Sequence, residues 1–352
     1  MSFPDDNKGY EHWLRHQCTV VEADLKEKCK RMKKSPFIFL RATYFRWAKR
    51  IEDICPKLAK APAVLSVGDL YLENFGTWRD ADGRLVWGIN DFDEAAVMPY
   101  PFDLIRLATS ARLLPGVEIR PHHLTTMLDG YCRGLKRPRA TLLDEQERWM
   151  RPFVAAADHA RDAFWTEIKE LLCKEPRKEP PPDARRALEK RLPQGYEDLR
   201  FGSWVKGGGS LGRPRYVAVA AWNGGRIVRE AKALIPSAWD WAHSHKNAKS
   251  RFQNLAEGHF RSPDPFLRAH GKWIIRRIAA DSRKIDVGTD LDPKLFPALF
   301  DAMGFDLGAV HAADKNARRI EPDLQSRNPD WLHDAVQAAE EAVNNDYREW
   351  RG

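Results

Sequence analysis

In the segment VGDLYLENFG (residues 67–76), Asp69, Glu73 and Asn74 stand among Leu70, Tyr71, Leu72 and Phe75, with a glycine near each end. A carboxylate can take the proton of an attacking hydroxyl, and an amide oxygen can ligate a divalent cation that holds phosphates. Asp69 and Asn74 offer that pair within one short loop. Downstream, INDFDEA (residues 89–95) places Asp91, Asp93 and Glu94 directly after an apolar run. Acids beside an amide suit a hard cation such as magnesium, with Asn74, Asp91 and Asp93 as candidate ligands. Any one Asp or Asn is more often a turn former, so the signal lies in the combination.

A second constellation is GGGSLG (residues 207–212), in which Gly207, Gly209 and Gly212 fit G-x-G-x-x-G, with Gly208 and Ser210 between them. Such a loop lets backbone N–H groups approach phosphate unobstructed. A dinucleotide fold needs a helix next. Here the alternating YVAVAAW, the turn NGG and the run RIVREAKAL read as a β-hairpin, the context of a glycine loop lying over nucleotide phosphates. A plain flexible hairpin loop is the alternative. On the second strand, Arg229 and Lys232 are candidate phosphate cations, and a regular strand projects them to opposite faces. His311, in LGAVHAAD, lies on a helical apolar pattern and reads as a packed histidine. Neither a Ser-His-Asp order nor H-E-x-x-H occurs.

The elements that must position these residues follow from periodicity. Leu14, Cys18, Val21 and Leu25 predict one amphipathic helix from about Tyr10 to about Met32, ended by Ser35-Pro36. AVLSVG and GRLVWGIN predict two strands joined by a turn containing Asp82-Gly83. Leu104, Leu107, Ala108 and Ala111 mark a buried helix with Asp103 at its start. A long helical region is expected from Thr141 to Leu172, opened by a capping box and divided by Pro152. The proline- and charge-rich residues 174–194 read as a linker or exposed excursion, and the tail from about Pro293 as helical.

With 352 residues, 43% hydrophobic, the chain can bury one large core or two coupled ones. No run approaches a membrane span and the N-terminus lacks signal-peptide order, so a cytoplasmic protein is expected. Five cysteines without a C-x-x-C pair predict reduced thiols. The net charge of +8 admits an acidic partner, either nucleic acid or a phosphorylated small molecule. Because the charge is dispersed and KCKRMKK reads as a solvated helix end, nucleic acid is the weaker of the two.

VGDLYLENFG, GINDFDEA and PFDLIRLATS together resemble the catalytic loop, metal-binding segment and following helix of kinase-like phosphotransferases, such as aminoglycoside and choline kinases. With SPFIFLRATYF, GGGSLG, REAKALIPS, KWIIRRIAADSRKID and LGAVHAAD added, the chain resembles a bacterial family of unknown function grouped with kinase-like proteins. The resemblance implies an α+β, two-lobed protein-kinase-like fold. It makes Asp69 the catalytic aspartate, Asn74 and Asp91 metal ligands, Gly207, Gly209 and Gly212 the phosphate loop, and Asp103 a structural acid. Tyr71 stands where that family has histidine, and Arg229 where it has lysine, with Lys232 as substitute and Glu257 as the cation's ion-pair partner.

In a standard kinase the glycine loop precedes the catalytic loop; here it follows, which implies a circular permutation. The expected parts are a catalytic half (1–135), a helical insertion and linker (136–195), a nucleotide-binding antiparallel sheet (196–285) and a helical return (286–352). The function this implies is ATP- and magnesium-dependent phosphoryl transfer to an unidentified small-molecule or protein acceptor. A catalytically impaired nucleotide-binding protein, a nucleotidyl transferase and a nucleic-acid-binding module are the alternatives.

Overall fold

The structure is a computed structural model that describes residues 2–155, 157–173, 179–285 and 291–352. Four helices open the chain: α1 (Phe3–Gln17), α2 (Glu22–Met32), α3 (Pro36–Ala42) and α4 (Tyr44–Ile54). The single helix expected over residues 10–32 is therefore two. The break falls at Cys18, where the backbone turns extended, and the Val21 N–H donates to the Gly212 carbonyl at 2.9 Å. Thr19, Val20 and Val21 are β-branched and give up helix at little cost when a tertiary bond is available. Ser35-Pro36 starts α3 as much as it ends α2: the Ser35 hydroxyl accepts from the Ile38 N–H and proline occupies the first turn.

Next come β1 (Ala63–Ser66), β2 (Phe75–Arg79), β3 (Leu85–Ile89) and β4 (Ala96–Pro99). The Asp82-Gly83 turn is present, but the strand entering it is β2, while β1 pairs with β4. The residues 67–74 that carry Asp69 and Asn74 thus run as a loop from one sheet to the other. Helix α5 (Pro101–Arg112) is buried almost throughout, and α6 (Pro121–Lys136) follows it. Thr141 begins a strand, β5 (Thr141–Leu142), which adds to β3, so the expected long helix reduces to α7 (Arg151–Val154) and α8 (Asp158–Cys173).

Residues 174–178 of the expected linker lie outside the described residues; the rest holds α9 (Pro182–Glu189), whose Ala184, Ala187 and Leu188 are buried. It lies on a five-stranded antiparallel sheet made of β6 (Glu197–Ser203), β7 (Arg215–Trp222), β8 (Gly225–Ala233), and, beyond helices α10 (Ala238–Ala242) and α11 (Phe252–Ala256), β9 (Arg268–His270) and β10 (Trp273–Ile278). Its strand order is β6-β7-β8-β10-β9. The β7–β8 turn is the two-residue Asn223-Gly224, both at positive φ, as a tight hairpin requires. One face packs Phe201, Ala218, Ala231, Trp273 and Ile275 against α9; the other packs Val217, Val219 and Val228 against α8.

Helices α12 (Phe296–Ala312), α13 (Ile320–Gln325) and α14 (Trp331–Arg351) complete the chain. Between α6 and α12 the backbones touch: a Cβ on Gly130, Gly134, Gly304 or Gly308 would strike a carbonyl of the opposite helix. Just beyond α12, Asp314 accepts from the Leu65 N–H at 2.9 Å and Asn316 donates to the Ala63 carbonyl at 3.0 Å, which fixes this helix beside β1. The result is a mixed α+β fold in which all five cysteines are free. No helix among the described residues is long and apolar enough to cross a membrane.

Candidate functional site

A cavity of about 210 Å³ lies where the loop after β1, the segment after β3, the β6–β7 loop and one face of the five-stranded sheet converge. Asp69, Asn74, Asp91, Asp93, Gly207, Gly208, Gly209, Ser210 and Lys232 all line it, although the sequence holds them in four separate segments. Eight Lys or Arg side chains line it against four Asp or Glu, so the space favours a polyanion.

The Asp69 loop is fixed from beneath. Asp103, fully buried at the start of α5, accepts from the Val67 and Gly68 N–H groups at 2.7 and 2.9 Å, and His311 of α12 lies 3.1 Å from the same carboxylate. Gly68 has φ +83°, and a Cβ there would run into Glu94 and Tyr44, so no other residue fits the turn. One turn along α5 from Asp103, Arg106 holds the Asp69 Oδ1 atom, its Nε at 3.0 Å, and packs between Tyr44 and Trp47. Burial raises the Asp69 pKa above the ordinary carboxylate value, with Arg106 opposing and Glu94 and Asp91 adding to the rise. Its Oδ2 atom faces Gly209, where a Cβ would lie 3.2 Å away, so the glycine loop passes directly over the carboxylate.

Asn74 is held by pairing: its carbonyl accepts from the Asn90 N–H at 2.9 Å, which sets it opposite the residue before Asp91. Its side-chain NH2 donates to the Asp69 carbonyl, and this leaves the buried Oδ1 atom without a hydrogen-bond partner. An orphaned buried oxygen is costly unless something fills it. Burial would raise Asp91, but Lys232, Arg276, Lys284 and Arg215 outweigh it and hold its pKa below the usual range, so Asp91 is ionised at neutral pH. An ionised carboxylate and an unfilled amide oxygen fit magnesium, which takes one or two protein oxygens and leaves the rest to water and phosphate. Among the described residues, no group of three or more His, Cys, Asp or Glu side chains is arranged to hold a metal, so such an ion would depend on the substrate's oxygens.

Asp93 and Lys232 come together as an ion pair, and Arg213 bonds Glu94. Glu94 also accepts from the Ala238 N–H at 2.6 Å, tying the segment to α10. Burial lowers the Lys232 pKa to about 8, with Arg276 adding to the effect and Asp91 and Asp69 opposing it. Beside Lys232, Glu230 is fully buried between Arg215, at 3.1 Å, and Arg276, at 2.8 Å.

Residues 20–118, which include the Asp69 and Asp91 segments, match the family model described as "Uncharacterized protein conserved in bacteria (DUF2252)". No curated protein and no solved structure matches the chain.

Three candidates lie outside the cavity. Arg229 projects from the opposite face of β8, as alternation requires, with its guanidinium 4.1 Å from the Phe266 ring centre and its Nε donating to the Arg191 carbonyl. Gly212, at φ +98°, docks the loop on α2, where a Cβ would strike Leu25. Glu257 follows the short α11, is exposed and pairs with Arg268 of the edge strand β9. Tyr71 stacks on Arg41, which in turn pairs with Glu73 at 2.8 Å.

Sequence reasoning missed Arg106, Lys28, Arg213, Arg215, Glu230 and Arg276. A signal existed for Arg106, a lone cation inside the apolar run PFDLIRLATS. The two-residue Asn223-Gly224 turn fixes register, so it could have placed Arg215 opposite Lys232 and Val217 opposite Glu230.

Proposed function

We propose that this protein is an ATP- and magnesium-dependent phosphotransferase of kinase-like type, acting on an acceptor hydroxyl. The observation that carries the reading is the orphaned Asn74 oxygen beside ionised Asp91, beneath a glycine loop and among cations. Asn74 and Asp91 would hold the magnesium ion, which supplies charge neutralisation at the phosphates. Gly207, Gly208, Gly209 and Ser210 line the cavity and would meet the phosphates with backbone N–H groups, and Lys232, Arg276 and Lys284 line it with positive charge. Asp69 orients the acceptor hydroxyl and accepts its proton at Oδ2, while Arg106 holds Oδ1. Phosphoryl transfer depends mainly on positioning and charge, which such a set of groups provides.

A second cavity of about 350 Å³ shares Lys206, Arg276 and Lys284 with the first, and Trp78, Phe92, Phe164, Trp204 and Leu267 give it an apolar lining. It suits a nucleobase whose phosphates extend towards Asp91. We read the chain as a kinase-like fold in permuted order, and two observations support this. The glycine loop joins the first two strands of a five-stranded sheet whose third strand carries Lys232, and α12 packs beside β1, which leads into the Asp69 loop.

One observation favours a second reading. Arg106 occupies Asp69 and Lys232 occupies Asp93, as in a protein that binds nucleotide without turnover. Thermal unfolding with magnesium and ATP tests the shared part: ligand at about 100 times its Kd stabilises by about 2.7 kcal/mol, and Asp91→Ala should lose that gain. An unchanged gain in folded Asp91→Ala would refute the site. ADP release then separates turnover from binding alone.

A further inference from the structure

The cavity has an end that the nucleotide reading leaves unused. Tyr10, Lys28, Tyr44, Phe45 and Arg213 wall it, contributed by α1, α2, α4 and the loop before β7. Most of the cavity's cations are already engaged. Arg41 pairs with Glu73, Lys206 with Glu167, Arg213 with Glu94, Arg215 and Arg276 with Glu230, and Lys232 with Asp93. Lys284 donates to the Glu73 carbonyl. Lys28 differs.

It is 5% exposed, and among the described residues no carboxylate lies within ion-pair distance of its ammonium. Its contacts are the ring faces of Tyr10 and Phe45, 5.8 and 5.7 Å from Nζ. Those rings steer the ammonium without satisfying its three N–H donors. The charge that acts on it most strongly, Arg213, has the same sign and is bonded to the Tyr10 hydroxyl at 3.3 Å. Two cations at one wall, one of them with no carboxylate, make a seat for an anion. None of the five residues walling this end lines the second cavity, and Tyr44 lies against Gly68 at the start of the Asp69 loop.

We infer that this end is the acceptor subsite, and that the acceptor carries a carboxylate or phosphate group bound by Lys28, with its hydroxyl presented to Asp69. This rests on the phosphotransferase reading for the word acceptor, and on the cavity alone for the anion. Calorimetric titration of the full chain, with and without a saturating non-hydrolysable magnesium–ATP analogue, tests it with inorganic phosphate, acetate and glycerol as probes. Phosphate or acetate should bind to the analogue-loaded protein and glycerol should not; the tighter anion names the acceptor's group.

Lys28→Met should weaken that binding at least about tenfold, Lys28→Arg should retain it, and both should bind the analogue as wild type does. Equal anion binding by wild type and Lys28→Met, no anion binding by wild type, or anion binding abolished by the analogue would overturn the subsite. Failure of the analogue itself to bind speaks against the nucleotide reading only, because the titration without analogue still reads Lys28.

Discussion

Burying an ammonium with no carboxylate beside it has a cost that can be measured without knowing any ligand. Burial, helped by Arg213 and opposed by Glu11, Cys29 and Glu94, brings the Lys28 pKa down from 10.5 to about 8. At ~1.36 kcal/mol per pKa unit this is about 3 kcal/mol against the folded state. The faces of Tyr10 and Phe45 return about 1 kcal/mol. Lys28→Met keeps the length of the side chain and removes the charge, so it should raise the unfolding free energy at pH 7 by roughly 2 kcal/mol. The sign of the pH dependence follows. Between pH 8 and 10.5 the unfolded chain holds the Lys28 proton and the folded protein does not, so wild-type stability rises with pH and the variant's advantage fades. Urea unfolding followed by tryptophan fluorescence at pH 7 and pH 10 measures both. Equal stability at pH 7, or an advantage that grows with pH, would show that Lys28 is not a buried unpaired cation.

Further substitutions probe the remaining charges. Arg106→Met strands the Asp69 carboxylate, which keeps some contact with the cavity, so the loss should be about 3 kcal/mol, the low end for a broken buried pair. Adding Asp69→Asn should recover most of it in the same urea titration, and no recovery would mean that Arg106 acts through its packing on Tyr44 and Trp47 alone. Lys232→Met should weaken magnesium–nucleotide binding about 10- to 100-fold, as expected for a lost charge-assisted contact. Arg229→Met, on the other face of the sheet, should leave it about unchanged by calorimetry, and the reverse order would put the phosphate cation on the wrong side of β8.

What the sequence made legible depended on whether the cause was local. The β7–β8 hairpin was readable because alternation and an Asn-Gly turn are written in consecutive residues, and α5 because its apolar period runs uninterrupted. The break between α1 and α2 was not, because what opposes the helical pattern is a hydrogen bond from Val21 to Gly212, far along the chain. β2 was missed because FGTWR carries a glycine and follows the Asp69 loop directly, so the strand entering the turn was assigned to the more regular AVLS. α9 hid in a segment read by its prolines and charges, although Ala184, Ala187 and Leu188 keep a helical apolar stripe that packs on the sheet. For the site, residue types picked out Asp69, Asn74, Asp91 and the glycine loop, but the glycine spacing also nominated Gly212, the second strand Arg229 and the family resemblance Glu257, which alternation and packing turn elsewhere.

The displaced role of Gly212 links the two ends of the cavity. In a bare phosphate loop the last glycine would face the ligand, whereas here its carbonyl and its missing Cβ receive Val21 and Leu25. The same helix, α2, carries Lys28 one turn beyond Leu25, so one rigid element anchors the trailing end of the glycine loop and supplies the unpaired cation. Arg213, next to Gly212, bonds Glu94 in the segment after Asp91. The two ends of the cavity are thus joined by the Val21–Gly212 hydrogen bond and by the Leu25 side chain of α2 lying against Gly212. Changes at Leu25 that loosen Gly212 should therefore disturb binding at both ends, whereas Lys28→Met, which leaves that contact intact, should disturb binding at its own end alone.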